Sequence, residues 1–190
     1  MARVLAFSGS GRGDSFNKKL LALAARGASE AGASVTTIEL RDFALPLYDG
    51  DLETREYPAG AAQLRELLAA HDALLLACPE YNGGIAPLLK NTLDWMTRAP
   101  GGKADPRVFA GRTAAICSAA AGPFGGMRGL RWARELLTNL GVLVLPDQVT
   151  VGSAFKAFDA NGELVEEWQR KAAAALGADL AKLADARGVK

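Results

Sequence analysis

Two short runs in this chain are apolar at almost every position: Leu74-Leu75-Leu76-Ala77-Cys78 and Thr113-Ala114-Ala115-Ile116-Cys117. Successive side chains of a strand point to opposite faces, so a strand wetted on one side alternates apolar with polar residues. A strand without that alternation is covered on both faces, as in a parallel sheet enclosed between two layers of helices. Three further runs read as strands, and the five candidates span 3–8, 34–39, 73–78, 113–118 and 142–151. Between and after them lie helical patterns at 15–31, 61–70, 87–98, 126–140 and 164–186. Their apolar residues fall on one face, as with Leu20, Leu21, Leu23 and Ala24 in the first and Leu64, Leu67 and Leu68 in the second. Gly32 and Gly141 stand where helix C-caps belong. Five βα units predict one α/β domain over residues 1–190, a three-layer sandwich around a five-stranded parallel sheet of order 2-1-3-4-5. A chain of 190 residues, 49% of them hydrophobic, can fill the two cores that such a sandwich needs.

The sheet directs attention to one edge. In open α/β sheets ligands sit outside the carboxyl ends of the strands, where the strand order reverses. The loop leaving the first strand is Ser8-Gly9-Ser10-Gly11-Arg12-Gly13-Asp14-Ser15-Phe16-Asn17. It opens a helix, whose first N–H groups are unpaired and carry partial positive charge. Ser10, Ser15 and Asn17 add side-chain donors, and Arg12 adds a forked charge. The loop lacks the lysine of G-x-x-x-x-G-K-[ST] and does not match G-x-G-x-x-G, so nucleoside triphosphate hydrolysis and an ordinary dinucleotide site are both disfavoured. A monoester phosphate is what remains. The third strand leads into Pro79-Glu80-Tyr81-Asn82-Gly83-Gly84. Pro79 ends the ladder, Tyr81 offers an aromatic wall, Glu80 and Asn82 offer groups for a heterocycle's edge, and Asn82-Gly83 admits positive φ. Taken alone, this is equally an ordinary turn. The fourth strand leads into the small-residue loop from Ser118 to Gly126, which permits close approach. One loop for a phosphate and two for a planar ring point to flavin mononucleotide (FMN).

These residues resemble a family. The run Gly9 to Leu20 is similar to the G-S-x-R-x-x-S-x-N-x-x-L loop of the NAD(P)H-dependent FMN reductases, flavodoxin-like proteins that include bacterial quinone and chromate reductases. Pro79-Glu80-Tyr81-Asn82, followed by Leu89-Lys90-Asn91-Thr92-Leu93-Asp94-Trp95, resembles its P-E-Y-N…L-K-N-x-x-D-W motif. Gly122 to Arg128 resembles a G-x-x-G-G-x-R segment, and Leu45-Pro46-Leu47-Tyr48-Asp49 the family's proline-bearing loop. The resemblance implies a flavodoxin-like fold and non-covalent FMN. Ser10, Arg12, Ser15 and Asn17 would hold the phosphate, with Phe16 in the same loop also counted as cofactor-binding. The ring would lie against Pro79, Glu80, Tyr81, Asn82 and Gly83, with Ser118 and Gly122 nearby. It further implies ping-pong, two-electron transfer from NADPH or NADH to a small-molecule acceptor: a quinone, or free flavin, chromate or an azo compound. A homodimer or homotetramer with the flavin near the subunit boundary is implied too, and Arg128 serves either that boundary or a nicotinamide phosphate. No catalytic side chain is expected, because the cofactor carries the chemistry. Asn91, Asp94 and Trp95 read as packing and helix-capping residues.

The rest of the composition narrows the alternatives. Lys+Arg 22 against Asp+Glu 21 is balanced, which argues against a nucleic-acid surface and against the acidic docking face of a carrier flavodoxin, the chief rival reading. A phosphate-binding module without redox chemistry is the second rival. No apolar run reaches the roughly 18 residues of a membrane span, and no secretory leader is recognisable, so a cytoplasmic protein is expected. Cys78 and Cys117 read as free buried thiols in a reducing compartment, or as a disulfide if both lie at one sheet edge. A single histidine, His71, precludes a multi-histidine metal site, and no metal is expected. It reads as a helix C-terminal residue rather than a catalyst. The segments 41–60 and 99–112 are long for connections in such a fold and read as site or interface walls, or as tolerated surface loops.

Overall fold

The computed structural model describes residues 1–188. The elements are β1 (Arg3–Ser8), α1 (Phe16–Glu30), β2 (Ser34–Ile38), α2 (Gly50–Arg55), α3 (Ala59–Ala69), β3 (Ala73–Ala77), β4 (Glu80–Tyr81), β5 (Gly84–Ile85), α4 (Pro87–Met96), β6 (Arg98–Ala99) and β7 (Lys103–Ala104). They continue with β8 (Thr113–Ala119), α5 (Met127–Asn139), β9 (Leu143–Val144), β10 (Val149–Val151), α6 (Ala154–Ala157) and α7 (Glu167–Arg187). The central sheet runs β2-β1-β3-β8-β10, all parallel, in the expected order. The fifth strand differs from expectation. It is broken into β9, which pairs with the start of β8, and β10, which pairs with its end. Pro146 lies in the gap and cannot donate to a ladder.

Alternation of side chains divides the core in two. Val4, Ala6, Leu75 and Cys117 face α1 and α7, where they meet Leu20, Ala24, Leu176 and Leu180. Leu5, Phe7, Leu74, Leu76, Cys78 and Ile116 face the other way, onto Leu64 and Leu68 of α3, Leu89 and Leu93 of α4, and Leu130 and Leu137 of α5. Leu74, Leu75 and Leu76 are fully buried, each stabilising the fold by about 1.5–3 kcal/mol relative to an exposed side chain. The same alternation settles the cysteines. They lie on opposite faces of the sheet, both as free thiols, so the disulfide reading is wrong. Burial pushes the Cys117 thiol up to about 12 and the Cys78 thiol well above its ordinary value. Neither is a nucleophile near neutral pH.

The ends of the elements follow local chemistry. Gly32 and Gly141 take positive φ just beyond α1 and α5. His71 and Arg112 close α3: an imidazole nitrogen contacts Leu67 C=O at 2.5 Å, and the Arg112 guanidinium donates to Leu68, Ala69 and His71 carbonyls. The other His71 nitrogen contacts the Thr36 hydroxyl at 2.8 Å. The imidazole therefore sits at the amino edge of the sheet. The two long connections are structured. Segment 41–60 carries a 3₁₀ turn and α2, and segment 99–112 carries part of the β6–β7 hairpin. Asn91 and Trp95 both donate to Pro46 C=O, and Asn91 accepts from Tyr48 N–H, so they fasten the proline-bearing loop onto α4. They cap nothing: Ala86 and Thr97 stand at the ends of α4.

Next to His71, Asp72 accepts three bonds from Arg3, from its N–H, Nε and Nη2, at 2.8–3.2 Å. These hold the Asp72 carboxyl below its ordinary value of 3.8 against the opposing effect of burial. A carboxylate lowered in the folded state contributes stability that is complete above its unfolded pKa and disappears as pH falls through the lowered value. Asp72→Asn should cost about 1–2 kcal/mol at pH 7. The gap from wild type should be narrower at a pH below 3.8, where the stability held by the lowered carboxyl is being lost. Urea titrations at both pH values measure it, and a gap independent of pH would contradict the assignment.

Candidate functional site

Because β1, β3, β8 and β10 are parallel, the loops that follow them leave at one edge. There they form a cleft of about 160 Å³. Pockets that engulf a small ligand typically measure about 300–1,000 Å³. This one therefore has room for only one end of such a ligand.

The first wall is the loop after β1. Gly9 N–H donates to Ala77 C=O, which joins the loop to the neighbouring strand, and a Cβ on Gly9 would fall 2.7 Å from Cβ of Leu89. The first intrahelical bond of α1 runs from Lys19 N–H to Ser15 C=O. The N–H groups of Phe16, Asn17 and Lys18 thus have no partner within the helix. Ser15 holds the N-cap position in extended conformation, yet its side chain makes no capping bond. Its hydroxyl and three backbone donors are left for a ligand, beside the positive end of the helix dipole. Arg12 is exposed at the cleft. Asp14, whose charge would oppose an anion, pairs with Lys19 at 2.6 Å, and that contact lowers its pKa. The cleft is therefore electropositive at the loop. Asn17 has a second task. Its carboxamide donates to Ala119 C=O at 2.8 Å and accepts from Ala119 N–H at 3.0 Å, tying α1 to the end of β8 and leaving one amide hydrogen free.

The second wall follows β3. Pro79 ends the strand, and Glu80-Tyr81 and Gly84-Ile85 form a hairpin across Asn82-Gly83, at φ 52° and 80°. Two successive positive φ values make the tight turn that Asn-Gly favours. Tyr81 is half exposed at the cleft. The Glu80 carboxylate is already engaged: Arg128 donates to it at 2.9–3.0 Å and Gly129 N–H at 2.9 Å. It anchors the hairpin to the amino end of α5, a favourable place for an anion. Arg128, left open between two roles by the sequence, has this partner and also lies over the Phe124 ring.

The third wall is Ala119-Ala120-Ala121, and the fourth is Phe155. Ala120 N–H donates to Val151 C=O and Ala154 N–H to Ala120 C=O, so the segment after β10 braces the loop after β8. The bracing carries Phe155 to the cleft, where it meets Phe16 edge-on at 5.0 Å while Phe158 stacks on Phe16 at 5.5 Å.

Of the residues singled out from the sequence, Ser10, Arg12, Ser15, Phe16, Asn17, Pro79, Glu80 and Tyr81 line this one cleft. Four do not. Asn82 and Gly83 form the tip of the hairpin, out on the rim. Gly122 is exposed, and its carbonyl accepts from Gly125 and Ser153 as turn scaffolding. Ser118 is fully buried beneath Gly126, where a Cβ would lie 2.0 Å from its Oγ. The sequence reading passed over Phe155. Its signal was the small pair Gly152-Ser153 after the last strand, the same pattern that marked the loop after β8. The described residues contain no group of His, Cys, Asp and Glu fit to hold a metal. They also contain no helix long and apolar enough to cross a membrane.

The chain is similar to known proteins over most of its length. The sequence profile of the NADPH-dependent FMN reductases matches residues 2–156. The chain is 40% identical over 171 residues to an NAD(P)H-dependent FMN reductase of Pseudomonas aeruginosa, covering 89% of this chain and 88% of that protein. It is 35% identical over 173 residues to an NADPH:quinone oxidoreductase of Arabidopsis thaliana, covering 88% and 84%. Among solved structures, the flavoenzyme NAD(P)H:(acceptor) oxidoreductase FerB of Paracoccus denitrificans superposes over the full length of both chains, with a TM-score of 0.80 at 24% identity. That similarity speaks to the fold alone.

Proposed function

The chain belongs to the NADPH-dependent FMN reductase family, FMN-containing oxidoreductases that use NAD(P)H, and from that premise we propose that the rim cleft is its flavin site and that quinones are its acceptors. The observation that carries the site is the uncommitted Ser15 hydroxyl at the N-cap of α1, in line with three unpartnered N–H groups and next to Arg12. That donor set fits a phosphate monoester. FMN, when bound, supplies two-electron transfer between the nicotinamide and the acceptor.

The chain's own residues bind and orient. Ser10, Arg12, Ser15 and the amino end of α1 take the phosphate. Pro79, the hairpin backbone at Glu80 and Tyr81, and the rim residues Asn82 and Gly83 take the ring, while Phe155 and Phe16 close the phosphate end. Phe155 joins the proposed set because it lines the same cleft. Ser118 and Gly122 support the loop from behind. No side chain is assigned proton transfer: the cleft lining holds no histidine or cysteine, and His71 is committed at the far edge of the sheet. Quinone as acceptor rests on relatives named for it, including the Arabidopsis protein. A cytoplasmic location fits the two free thiols. A homodimer or homotetramer would cover the exposed Trp132 and the apolar groove it shares with Ile85 and Leu136, and sedimentation equilibrium measures it.

The test is direct. FMN-loaded protein mixed anaerobically with NADPH should lose its visible flavin absorbance and regain it on addition of a benzoquinone. Arg12→Ala should weaken FMN binding about ten- to a hundredfold and leave riboflavin, which has no phosphate, unaffected. Protein that takes up no FMN, or takes it up and stays yellow with NADPH, refutes the proposal.

A further inference from the structure

Arg41 lies in the 3₁₀ turn after β2, 30 residues away from the loop that follows β1. Its Nη1 donates to Gly11 C=O at 2.9 Å. Gly11 C=O and Arg12 N–H belong to one trans peptide and point in opposite directions. A carbonyl drawn outward to Arg41 therefore sends the Arg12 N–H inward, where it donates to Ser10 Oγ at 3.4 Å. Ser10 is buried to 3% exposure and lines the cleft. With its oxygen accepting from Arg12, its own proton remains to be donated. Without the outward pull, the peptide is free to turn and present its carbonyl oxygen to an anion.

Gly11 fits the same arrangement. It is not among the positive-φ glycines, so its backbone does not demand glycine. A Cβ there would fall 3.0 Å from Cδ of Arg41 and 3.6 Å from its Cγ. A side chain at this position would press on the arginine stem.

We infer that Arg41 is a positioning residue of the phosphate loop: through the Gly11 carbonyl it holds the Arg12 N–H on Ser10 Oγ and so leaves the Ser10 hydroxyl proton for the cleft. The inference rests on reading that cleft as the FMN phosphate site. Arg41→Met keeps the stem and removes the donor. It should raise the dissociation constant for FMN about tenfold, while that for riboflavin changes less than about twofold. Arg41→Lys, which retains a charged donor, should recover most of the FMN affinity. Gly11→Val should match Arg41→Met, and the double variant should be no worse than either single one, because both break the same contact.

Dissociation constants come from quenching of flavin fluorescence in apoprotein titrations, with melting temperature as the second readout. Wild-type FMN affinity in Arg41→Met overturns the inference. So does an equal loss of riboflavin affinity or a marked fall in melting temperature, either of which makes the role structural. Wild-type protein that binds FMN no better than riboflavin would overturn the phosphate-site reading itself, and this inference with it.

Discussion

Replacing Gly177 with valine is expected to destabilise the protein by about 3 kcal/mol or more, seen as a fall of about 10 °C in the melting temperature. Gly177 sits in the middle of α7 where that helix crosses α1. A Cβ at Gly177 would lie 1.8 Å from Ala24 C=O and 2.8 Å from Ala28 N. The contact is reciprocal, since a Cβ on Gly27 of α1 would lie 2.2 Å from Ala174 C=O. The two backbones touch, and no rotamer relieves the overlap because the first carbon of any side chain already makes it. The helices would have to separate, opening the core that contains Leu20, Leu176 and Leu180. Gly177→Ala, with one methyl, should show a smaller loss in the same direction. Because α1 begins at the phosphate loop, displacing it should also weaken FMN binding in Gly177→Val. A Gly177→Ala variant that melts with wild type would show that the helices do not meet there.

Removing Arg98 should be comparably costly, at about 3–5 kcal/mol. Its Nε donates to both oxygens of Glu53, at 2.9 and 3.0 Å, and Glu53 is 2% exposed. Among the described residues the Tyr48 hydroxyl supplies the only other bond to that carboxylate, at 2.9 Å. Arg98→Ala therefore strands a charge away from water with a single neutral donor. The pair as a whole is a different matter: two charges brought out of water gain little over well-packed apolar groups. Arg98→Met with Glu53→Met should accordingly recover much of the loss. Chemical denaturation of the single and double variants decides the point. A double variant no more stable than Arg98→Ala would indicate that the cost comes from losing the guanidinium over the Tyr48 ring, whose centroid lies 5.9 Å from Cζ.

The local reading and the folded chain agree where one strand's environment decides the outcome. The unbroken apolar runs at 73–78 and 113–118 meant burial on both faces, and both strands are buried throughout. They disagree where a distant residue intervenes. The long segment 41–60 reads as a site or interface wall or as a tolerated surface loop, with no sign of its anchors, which are Asn91 and Trp95, 43 to 49 residues further on. Glu80 looked free to address a ligand, but Arg128 and Gly129 occupy its carboxylate. Asn17 looked like a phosphate donor alone, but it also binds the backbone of Ala119, 102 residues away.

The sequence by itself determined that parallel strands would send the loops after residues 8, 78 and 118 to one edge, because strand direction and two-sided burial are written in short-range patterns. It also determined that the first loop carries donors and a positive charge. Only the tertiary structure decided which of those groups remain free. Hydrogen bonds across 30, 48 or 102 residues depend on how layers pack, and packing assigns Ser15 to the cleft, spends Glu80 on α5, brings Phe155 to the mouth and sets Arg41 against Gly11.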